Sequence, residues 1–439
     1  MRKISTSSDT KAISLTIYNG GFGAVKETRT VNLTGEETEL VFSDVAQRIE
    51  TDSLLVEGLN VLEFNYDYDL VDRDKLLKKY IDKEVYLIDR KTSEKKNCRL
   101  LSVEGGGRCV LENNVTKEIY LDTQAELVLP SLPNGLIVKP ALVWKIAPTS
   151  TDIVKVSYLS KGFNWVANYV VEILTSTLNI AGWAEIENQS GSTFEAAKVK
   201  LIAGDVNRIT EDDDDDYRIS EKIEYMCTEM PSPQAEEKSF FDYHMYTLNN
   251  LTTLKDNQTK QINILNGQNV PYRKYYILNM REDKVNVVIE FANKKECGLG
   301  TAMPKGKIKL YTADEADQSL EFLGEDKIDH SPKDEDIKLT IGNAFDITFE
   351  FKEVDRRKRD GFEHYKYECL IKNHKEEAVE VRFAHQVWDI WEMVSSTHDY
   401  NKKESWLLEY SVSVPADSEI KVCFEYKIDR RTEVVVKKK

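Results

Sequence analysis

The sequence lacks long apolar segments. No run reaches the roughly 18 apolar residues that a membrane-spanning helix needs. The N-terminus carries charged residues but none of the apolar core that a secretion signal requires. We therefore expect a chain without a membrane span and with a cytoplasmic location.

The motifs that mark common catalytic sites are also absent. The chain contains no G-x-S-x-G nucleophile elbow, no H-E-x-x-H zinc motif, no phosphate-binding G-x-x-x-x-G-K-[ST] loop and no G-x-G-x-x-G between a strand and a helix. The sequence therefore assigns no catalytic residue, and we expect no cofactor.

Paired cysteines and excess positive charge are missing as well. The six cysteines are dispersed without C-x-x-C spacing, which is typical of reduced thiols rather than of a disulfide framework or a zinc site. The formal net charge of −16 repels polyphosphate and anionic lipid headgroups. We expect no nucleic-acid partner.

What the sequence has in abundance is the alternation of apolar and polar residues that strands show. It is clearest between Tyr158 and Asp205, where the residues expected to face a core are Leu178, Ile180, Gly182, Ala184 and Ile186. Near the C-terminus it predicts two half-buried antiparallel strands. Their inward residues are Tyr365, Tyr367, Cys369 and Ile371 in one, and Ile420, Val422, Phe424, Tyr426 and Ile428 in the other.

One short helix is predicted in the N-terminal part. Leu76, Leu77, Tyr80 and Ile81 recur at helical spacing behind acidic residues that suit the helix dipole. Five brief strands joined by tight turns follow it. A helix that leads into five short strands predicts a small closed β-barrel.

The length of 439 residues exceeds what one hydrophobic core usually organises. We predict a mainly β fold of tandem antiparallel β-sandwiches of the immunoglobulin-like type, with the small barrel and the helix inserted. The predicted segments are N-terminal strands of the first sandwich at 1–70, the helix and barrel at 71–130, a central sandwich at 131–272 with an acidic mobile loop at 209–240, and a C-terminal immunoglobulin-like sandwich at 273–439.

Several strings match a pattern that we recognise. They are YDLVDRDKLLKKYIDKEV at 68–85, LPNGLIVKPALVW at 132–144, the GFNWVANY and GWAEIENQSG strings, AGDVNR at 203–208, and GEDKIDHSPKDEDIKLTIGNAFDI at 324–347. Together they resemble the bacterial domain-of-unknown-function family numbered 4139, which is related to mucoidy-inhibitor-like proteins. The likeness covers nearly the whole chain and implies a mostly β fold. The sequence departs from many such proteins as a short form without export signal or coiled coil. It implies no catalytic residue.

Two acidic segments are candidate cation sites. Asp326, Asp329, His330 and Asp334 lie within one short segment, together with further carboxylates, as a divalent cation would require. The alternative is a polar turn whose side chains bond to nearby backbone groups. The five aspartates from Asp212 to Asp216 lack the ligand spacing of a calcium loop, which favours a solvated charged tract.

Aromatic residues form the third candidate, a surface for a ligand or a protein partner. The candidates are Trp183, Trp388, Trp391, Tyr400 and Trp406. On a strand, Trp388 and Trp391 would point to opposite faces, so a joint surface requires this segment to leave strand geometry. The alternative is burial in a core or between domains. Trp183 shares a strand face with glutamates, and we expect another part of the protein or another subunit to cover it.

These features favour a non-enzymatic structural or protein-interaction scaffold. Its sheet edges would pair with protein partners, copies of itself among them. The alternative is a glycan-binding or metal-dependent hydrolytic protein that uses the His330 acidic turn or the cluster of Trp388, Trp391 and Trp406.

Overall fold

The computed structural model describes residues 1–67, 73–88, 94–104, 108–121, 126–131, 139–204, 206–208, 233–241 and 243–431. Strands make up 69% of the structure and helices 3%, so the fold is mainly β, as predicted. Within the described residues the chain divides into two compact units. Unit 1 comprises Met1–Asn164, Glu187–Leu201 and Asn250–Thr259, and unit 2 comprises Trp165–Ile186, Ile202–Asn249 and Lys260–Lys439. The four segments proposed from the sequence stay a prediction.

Strands and helices are numbered in chain order, and each is assigned to the unit that holds most of its residues. Unit 1 contains α1 (Arg73–Lys79), a 3-10 helix (Ser7–Asp9), β1 (Arg2–Ser5), β2 (Thr10–Tyr18), β3 (Phe22–Thr34), β4 (Glu39–Ser43), β5 (Ile49–Glu57), β6 (Val61–Asp67), β7 (Glu84–Ile88), β8 (Lys95–Glu104), β9 (Arg108–Asn113), β10 (Ile119–Leu121), β11 (Glu126–Val128), β12 (Ala141–Ile146), β13 (Ser150–Lys161), β16 (Phe194–Ala203) and β19 (Thr252–Leu254). They form the runs β1-β4-β12-β6, β10-β9-β8-β7-β11 and β16-β2-β3-β13-β5, with β19 beside β16.

The predicted helix and the five strands that follow it are confirmed, but the predicted barrel is wrong. The described strands run in the open order β10-β9-β8-β7-β11, and none of the described sheets closes. The two end strands are only three residues long, which leaves little backbone to pair across a closure. Instead, α1 covers one face, because Leu77 and Tyr80 pack into the same core as Val85, Cys98 and Leu100.

Unit 2 contains the remaining strands and a second 3-10 helix (Lys295–Cys297). They are β14 (Phe163–Ile173), β15 (Thr177–Asn188), β17 (Ala235–Phe240), β18 (Tyr243–Leu248), β20 (Gln258–Asn279), β21 (Lys284–Ala292), β22 (Gly306–Ala313), β23 (Leu320–Ile328), β24 (Asp336–Asn343), β25 (Ile347–Arg359), β26 (Phe362–Asn373), β27 (Val379–Gln386), β28 (Trp391–Ser396), β29 (Tyr400–Glu404), β30 (Leu407–Val414) and β31 (Ser418–Asp429). The main run is β23-β22-β14-β15-β20-β27-β30-β29, with β21 beside β20 and β24 beside β21, and a second sheet has the order β25-β26-β31-β28.

The alternation predicted along β15 is confirmed. Leu178, Ile180, Gly182, Ala184 and Ile186 are all buried. Gly182 is required by close packing, because a Cβ there would lie 2.9 Å from Leu265 Cβ and 3.0 Å from the Tyr169 ring. The inward face therefore has no room for a side chain at this position.

The C-terminal strands also alternate as predicted, and the structure pairs the two predicted faces with each other. In the register of β26 with β31, Tyr367 lies opposite Phe424 and Cys369 lies opposite Val422. These residues share one core with β27 and β30 of the main run, including Phe383. Two sheets therefore bury their faces against each other in this part of unit 2, while the finer immunoglobulin-like assignment stays a prediction.

The segment predicted as an acidic mobile loop, 209–240, ends in a strand. Residues 235–240 form β17, which pairs antiparallel with β18 in continuous register. Residues 209–232, which include the five aspartates, lie outside the described part of the chain. Among the described residues, no helix has the length and apolar character needed to cross a bilayer.

Candidate functional site

The His330 segment is held by backbone groups of neighbouring segments. The Lys305 N–H donates to His330 Nδ1 at 3.2 Å, and the Thr340 N–H donates to Asp326 Oδ2 at 2.7 Å. Asp334 adopts a left-handed conformation with φ of 68° and donates its N–H to the Asn293 carbonyl. No group of three or more His, Cys, Asp or Glu side chains in the described ranges is arranged to hold a metal ion. The metal hypothesis for this turn stays a prediction.

Of three aromatic candidates, Trp388 is exposed, Trp406 is half-buried and Trp391 is buried. Residues 387–390 leave strand geometry between β27 and β28, as a joint surface would require. Trp388 is 76% exposed and stacks on Trp406, with ring centroids 5.0 Å apart and an interplanar angle of 5°. Trp391 turns inward instead, is 8% exposed, and donates its indole N–H to the Ser405 carbonyl at 2.9 Å. The segment therefore presents the Trp388 indole to solvent, stacked on the half-buried Trp406.

The other two aromatic candidates have different surroundings. The Tyr400 ring lies 6.2 Å from the Tyr410 ring and is 38% exposed. Trp183 is half-buried on the outward face of β15. Beside it on the same face, Glu185 accepts hydrogen bonds from the amides of Asn168 and Gln261 at 3.0 and 3.1 Å.

Unit 1 contains a cavity of about 710 Å³ that the sequence did not suggest. It opens beside the first half of β2 and the middle of β3, and the segments next to β4, β12 and β16 complete its walls. The lining residues fall in 7–8, 10–13, 44–45, 139–140 and 191–196, together with Glu27, Arg29, Leu251 and Asp256.

A buried ion pair forms part of the cavity wall. Arg29 Nη2 lies 2.7 Å from Glu27 Oε2, and the two side chains are only 1% and 2% exposed. The Tyr158 hydroxyl donates to Glu27 Oε1 at 3.2 Å, and Arg29 Nη1 donates to the Ser43 carbonyl at 2.6 Å. The Arg29 guanidinium also lies 3.6 Å from the centroid of the Phe42 ring. Both charges are therefore held in place by protein groups.

A second ion pair stands nearer the surface. Lys139 Nζ lies 2.8 Å from Asp44 Oδ1, while Ser7 donates both its N–H and its hydroxyl to Asp44 Oδ2. Burial alone would raise the pKa of the Asp44 carboxyl, but Lys139 and Ser7 outweigh it and hold the pKa below its ordinary value. Asp44 and Lys139 therefore form an ionised, hydrogen-bonded pair in this part of the cavity wall.

The strands that border the cavity are irregular at the point where they meet it. In the register of β2 with β3, Thr10 lies opposite Arg29, and the register then shifts so that Lys11 is an extra residue. On β16, Ala196 has a φ of 46°, and the pairing with β19 shifts between Phe194 and Ala197. Bulges of this kind are common next to binding sites, where they redirect side chains.

One hydroxyl in the cavity wall has no partner. Thr10 Oγ1 is buried, and it makes no hydrogen bond among the described residues. An unsatisfied buried hydroxyl costs roughly 1–3 kcal/mol. Solvent does not reach this oxygen, although other atoms of Thr10 line the cavity.

No protein-family model matches the chain, and no curated protein matches it. A function for the site therefore rests on its own geometry.

Sequence patterns missed the cavity because its residues are widely separated and individually ordinary. Thr10, Asp44, Lys139 and Ala196 belong to four different segments, and serine and threonine are common in any turn. The one local signal was Glu27 and Arg29, two opposite charges on the otherwise apolar inward face of β3. Charged residues are rarely buried unless they are paired, so this pattern indicated a buried ion pair.

Proposed function

We propose that the protein is a non-enzymatic interaction scaffold that pairs with a second copy of itself through β23. The supporting observation is the apolar character of the first half of this strand, residues 320–323. Leu320, Phe322 and Leu323 are 37%, 55% and 39% exposed. β23 also stands at the end of the main run of described strands, where backbone N–H and C=O groups face outward and can pair with another strand.

The second half of β23 is less open. The side chain of Asp326 accepts a hydrogen bond from the Thr340 N–H on β24. At Gly324 the Ile341 carbonyl of β24 approaches so closely that a Cβ would overlap it. The close approach of β24 therefore leaves residues 320–323 as the docking segment.

The edge strands β25 and β29 of unit 2 carry charges that discourage pairing. β25, at the end of the second sheet, contains the sequence KEVDRRKR in its second half, and β29 has the sequence YNKKE. Lysines and other charges on an edge strand oppose the addition of another strand. This contrast favours β23 over β25 and β29.

A second copy is the partner that the β23 sequence fits. Antiparallel pairing about a two-fold axis between Glu321 and Phe322 places Leu320 opposite Leu323 of the other copy. The same axis places Glu321 opposite Phe322, so no carboxylate faces another carboxylate. Opposed aliphatic side chains stabilise an antiparallel pair, and a self-complementary patch is what a two-fold dimer requires.

Sedimentation velocity over a range of protein concentrations tests the proposal. We expect the wild-type protein to form a dimer and Leu323→Lys to shift the equilibrium to monomer, because a lysine would bury its charge in the new strand pair. The matched control is Val354→Lys on β25, a substitution at another exposed apolar position of an edge strand (54% exposed). It should dimerise as the wild type does.

Two outcomes would overturn the proposal. One is a wild-type protein that stays monomeric at every concentration. The other is a Leu323→Lys protein that dimerises as strongly as the wild type. Circular dichroism of each variant checks that the strands have formed.

A carbohydrate-binding role is the second candidate, and the exposed Trp388–Trp406 stack favours it. Trp388 is 76% exposed, and the indole face that does not stack on Trp406 can pack against the apolar face of a sugar ring. Titration of intrinsic fluorescence with soluble cellulose and chitin oligosaccharides, using Trp388→Ala as the comparison, tests this role. A response that is equal in both proteins, or absent from the wild type, would remove this candidate.

The family assignment is also a proposal. The strings at 68–85, 132–144 and 324–347 support a relationship to the domain-of-unknown-function family numbered 4139. The mainly β fold agrees with what that family implies. A solved structure of a member with the same strand order in unit 2 would support the relationship, and a different strand order would contradict it.

A further inference from the structure

We propose that Asn19 is a modification site, where the side-chain carboxamide deamidates spontaneously by cyclising onto the backbone nitrogen of Gly20. This site goes beyond the self-association proposed for β23. Asn19 and Gly20 lie in the turn between β2 and β3, and the chain has two further Asn-Gly pairs, at 134–135 and 266–267. The pair at 134–135 lies outside the described residues, so the structure compares the other two.

An asparagine followed by glycine places the nucleophile and the electrophile of this reaction next to each other. The Gly20 amide nitrogen, after a base removes its proton, bonds to Asn19 Cγ. The bond from Cγ to Nδ2 breaks, and Nδ2 takes up a proton and leaves as ammonia. Water then opens the cyclic succinimide at either carbonyl, which leaves an aspartyl or an isoaspartyl residue. The reaction needs only base and water.

The turn between β2 and β3 leaves this reaction open. Gly20 is exposed and has no Cβ, so a base reaches its N–H and no side chain shields the nitrogen. Asn19 Oδ1 is buried and makes no hydrogen bond within the described part of the chain. The carboxamide therefore breaks no hydrogen bond at its oxygen when it turns toward the Gly20 nitrogen. Turn residues are also more mobile than the strands that they connect.

Asn266 is followed by glycine as well, but its surroundings differ. It lies inside β20, and its Oδ1 accepts a hydrogen bond from Asn263 Nδ2 at 2.9 Å. Gly267 is buried, and a Cβ there would lie 2.6 Å from Leu299 Cδ2. Cyclisation at Asn266 would have to break this hydrogen bond and shift a closely packed strand. We therefore expect the fold to protect Asn266 and to leave Asn19 reactive.

The product at position 19 should weaken the hairpin that carries it. An isoaspartyl residue inserts its β-carbon into the backbone, and either product adds a carboxylate. The Tyr18 and Phe22 rings stack at the two ends of the turn, with centroids 4.5 Å apart. The Gly21 carbonyl accepts a hydrogen bond from the Gly162 N–H at 3.2 Å. A longer backbone between the two rings would displace these contacts.

Peptide mapping by mass spectrometry tests the proposal on the full chain, incubated in mildly alkaline buffer. Trypsin releases Asn19 and Asn266 in separate peptides, 12–26 and 261–273. Deamidation raises the mass of a peptide, and chromatography separates the aspartyl from the isoaspartyl form. We expect the folded protein to lose Asn19 at least about tenfold faster than Asn266, the rate factor that corresponds to one hydrogen bond in the barrier.

The unfolded chain and two variants are the controls. In guanidinium chloride the two pairs should react at similar rates, because the fold no longer holds either one. Gly20→Ala keeps Asn19 and places a Cβ beside the attacking nitrogen, so the loss of Asn19 should slow by about tenfold. Asn19→Gln keeps a carboxamide that cyclises less readily, so ageing should lower its urea midpoint less than that of the wild type. Circular dichroism checks that both variants are folded.

Three results would overturn the proposal. They are an Asn19 that stays intact in the folded protein, an Asn266 that reacts as fast as Asn19 in the folded protein, and a Gly20→Ala protein that loses Asn19 at the wild-type rate. Equal urea midpoints of the aged wild type and aged Asn19→Gln would contradict the effect on the hairpin. The dimer expected for β23 is measured separately by sedimentation, so failure of either proposal leaves the other intact.

Discussion

Arg29 and Glu27 lie two residues apart on β3 and form an ion pair, 2.7 Å between Nη2 and Oε2, that is almost completely removed from solvent. Such a pair is costly to split, because removing one charge leaves the other buried and uncompensated. It is much less costly to replace the pair as a whole.

We expect Arg29→Met to lower the free energy of unfolding by about 3–5 kcal/mol, since the Glu27 carboxylate would lose its cation. The double variant Glu27→Leu with Arg29→Met should recover most of that loss. Urea unfolding followed by circular dichroism measures both. The control is Lys145→Met, which breaks the exposed pair with Glu63 and should cost less than about 1 kcal/mol. A double variant no more stable than Arg29→Met would contradict this account.

Acid should destabilise unit 2 through His385. Burial lowers the pKa of His385 from 6.5 to about 4. Its ring lies among aromatic side chains, 4.5 Å from the Tyr367 ring and 5.4 Å from the Phe424 ring, and its Nε2 is 3.3 Å from the Tyr426 hydroxyl. The negative charge of Glu353 raises the pKa of His385, but this effect is smaller than the lowering caused by burial.

Because the folded state binds this proton less readily than the unfolded state, the His385 contribution to stability is complete above about pH 6.5. It should be lost as the pH falls toward 4, by about 2–3 kcal/mol, and no further loss from this group should follow below pH 4. Urea unfolding at a series of pH values should show the free energy of unfolding of the wild type falling between about pH 6.5 and 4. The fall should be smaller in His385→Asn. Parallel slopes in the two proteins would rule out His385 as the source.

Replacement by alanine should destabilise the protein at Gly306 but not at Gly342. A Cβ at Gly306 would overlap the carbonyl oxygen of Ala167, its partner in the parallel pairing of β14 and β22. At Gly342 a Cβ would meet nothing within 4 Å. We expect Gly306→Ala to cost about 2–4 kcal/mol and Gly342→Ala to stay within about 0.5 kcal/mol of the wild type. Thermal denaturation compares the two, and equal midpoints would show that the strand can shift to make room.

The thiol of Cys369 should be unreactive in the folded protein. Burial raises its pKa to about 12, so almost none of it is thiolate at pH 8. Alkylation with iodoacetamide, followed by mass spectrometry of the peptide that contains Cys369, should show modification only after unfolding in guanidinium chloride. Rapid labelling of this peptide under native conditions would mean that β26 opens locally.

Period-two alternation predicted much of unit 2 because a half-buried strand must place its apolar residues on one side. Tyr367, Cys369, Val422 and Phe424 were assigned to a core from the sequence, and the register brings them together. The closure of a sheet is different. It depends on which end strands meet, and nothing in the short strands β10 and β11 encodes that choice locally.

The candidate sites were harder to predict than the strands. Spacing alone could not show that Trp391 turns into the core while Trp388 stacks outward on Trp406, since this depends on where β28 begins. The cavity of unit 1 was not predicted, because its walls join residues far apart in the chain. A bulge such as the one at Lys11 arises from strand pairing, which no local pattern of residues specifies.

The parallel pairing of β14 with β22 also bears on how the protein is made. Thr312 of β22 bonds to the carbonyl of Ile173, 139 positions earlier in the chain. At the usual pace of translation, β14 emerges on the order of ten seconds before the strand that pairs with this side of it. During that interval β14 lacks its partner β22, and residues that are buried in the folded protein, such as Tyr169 and Val171, are not yet covered on that side. The nascent chain should therefore depend on chaperones more than the finished protein does.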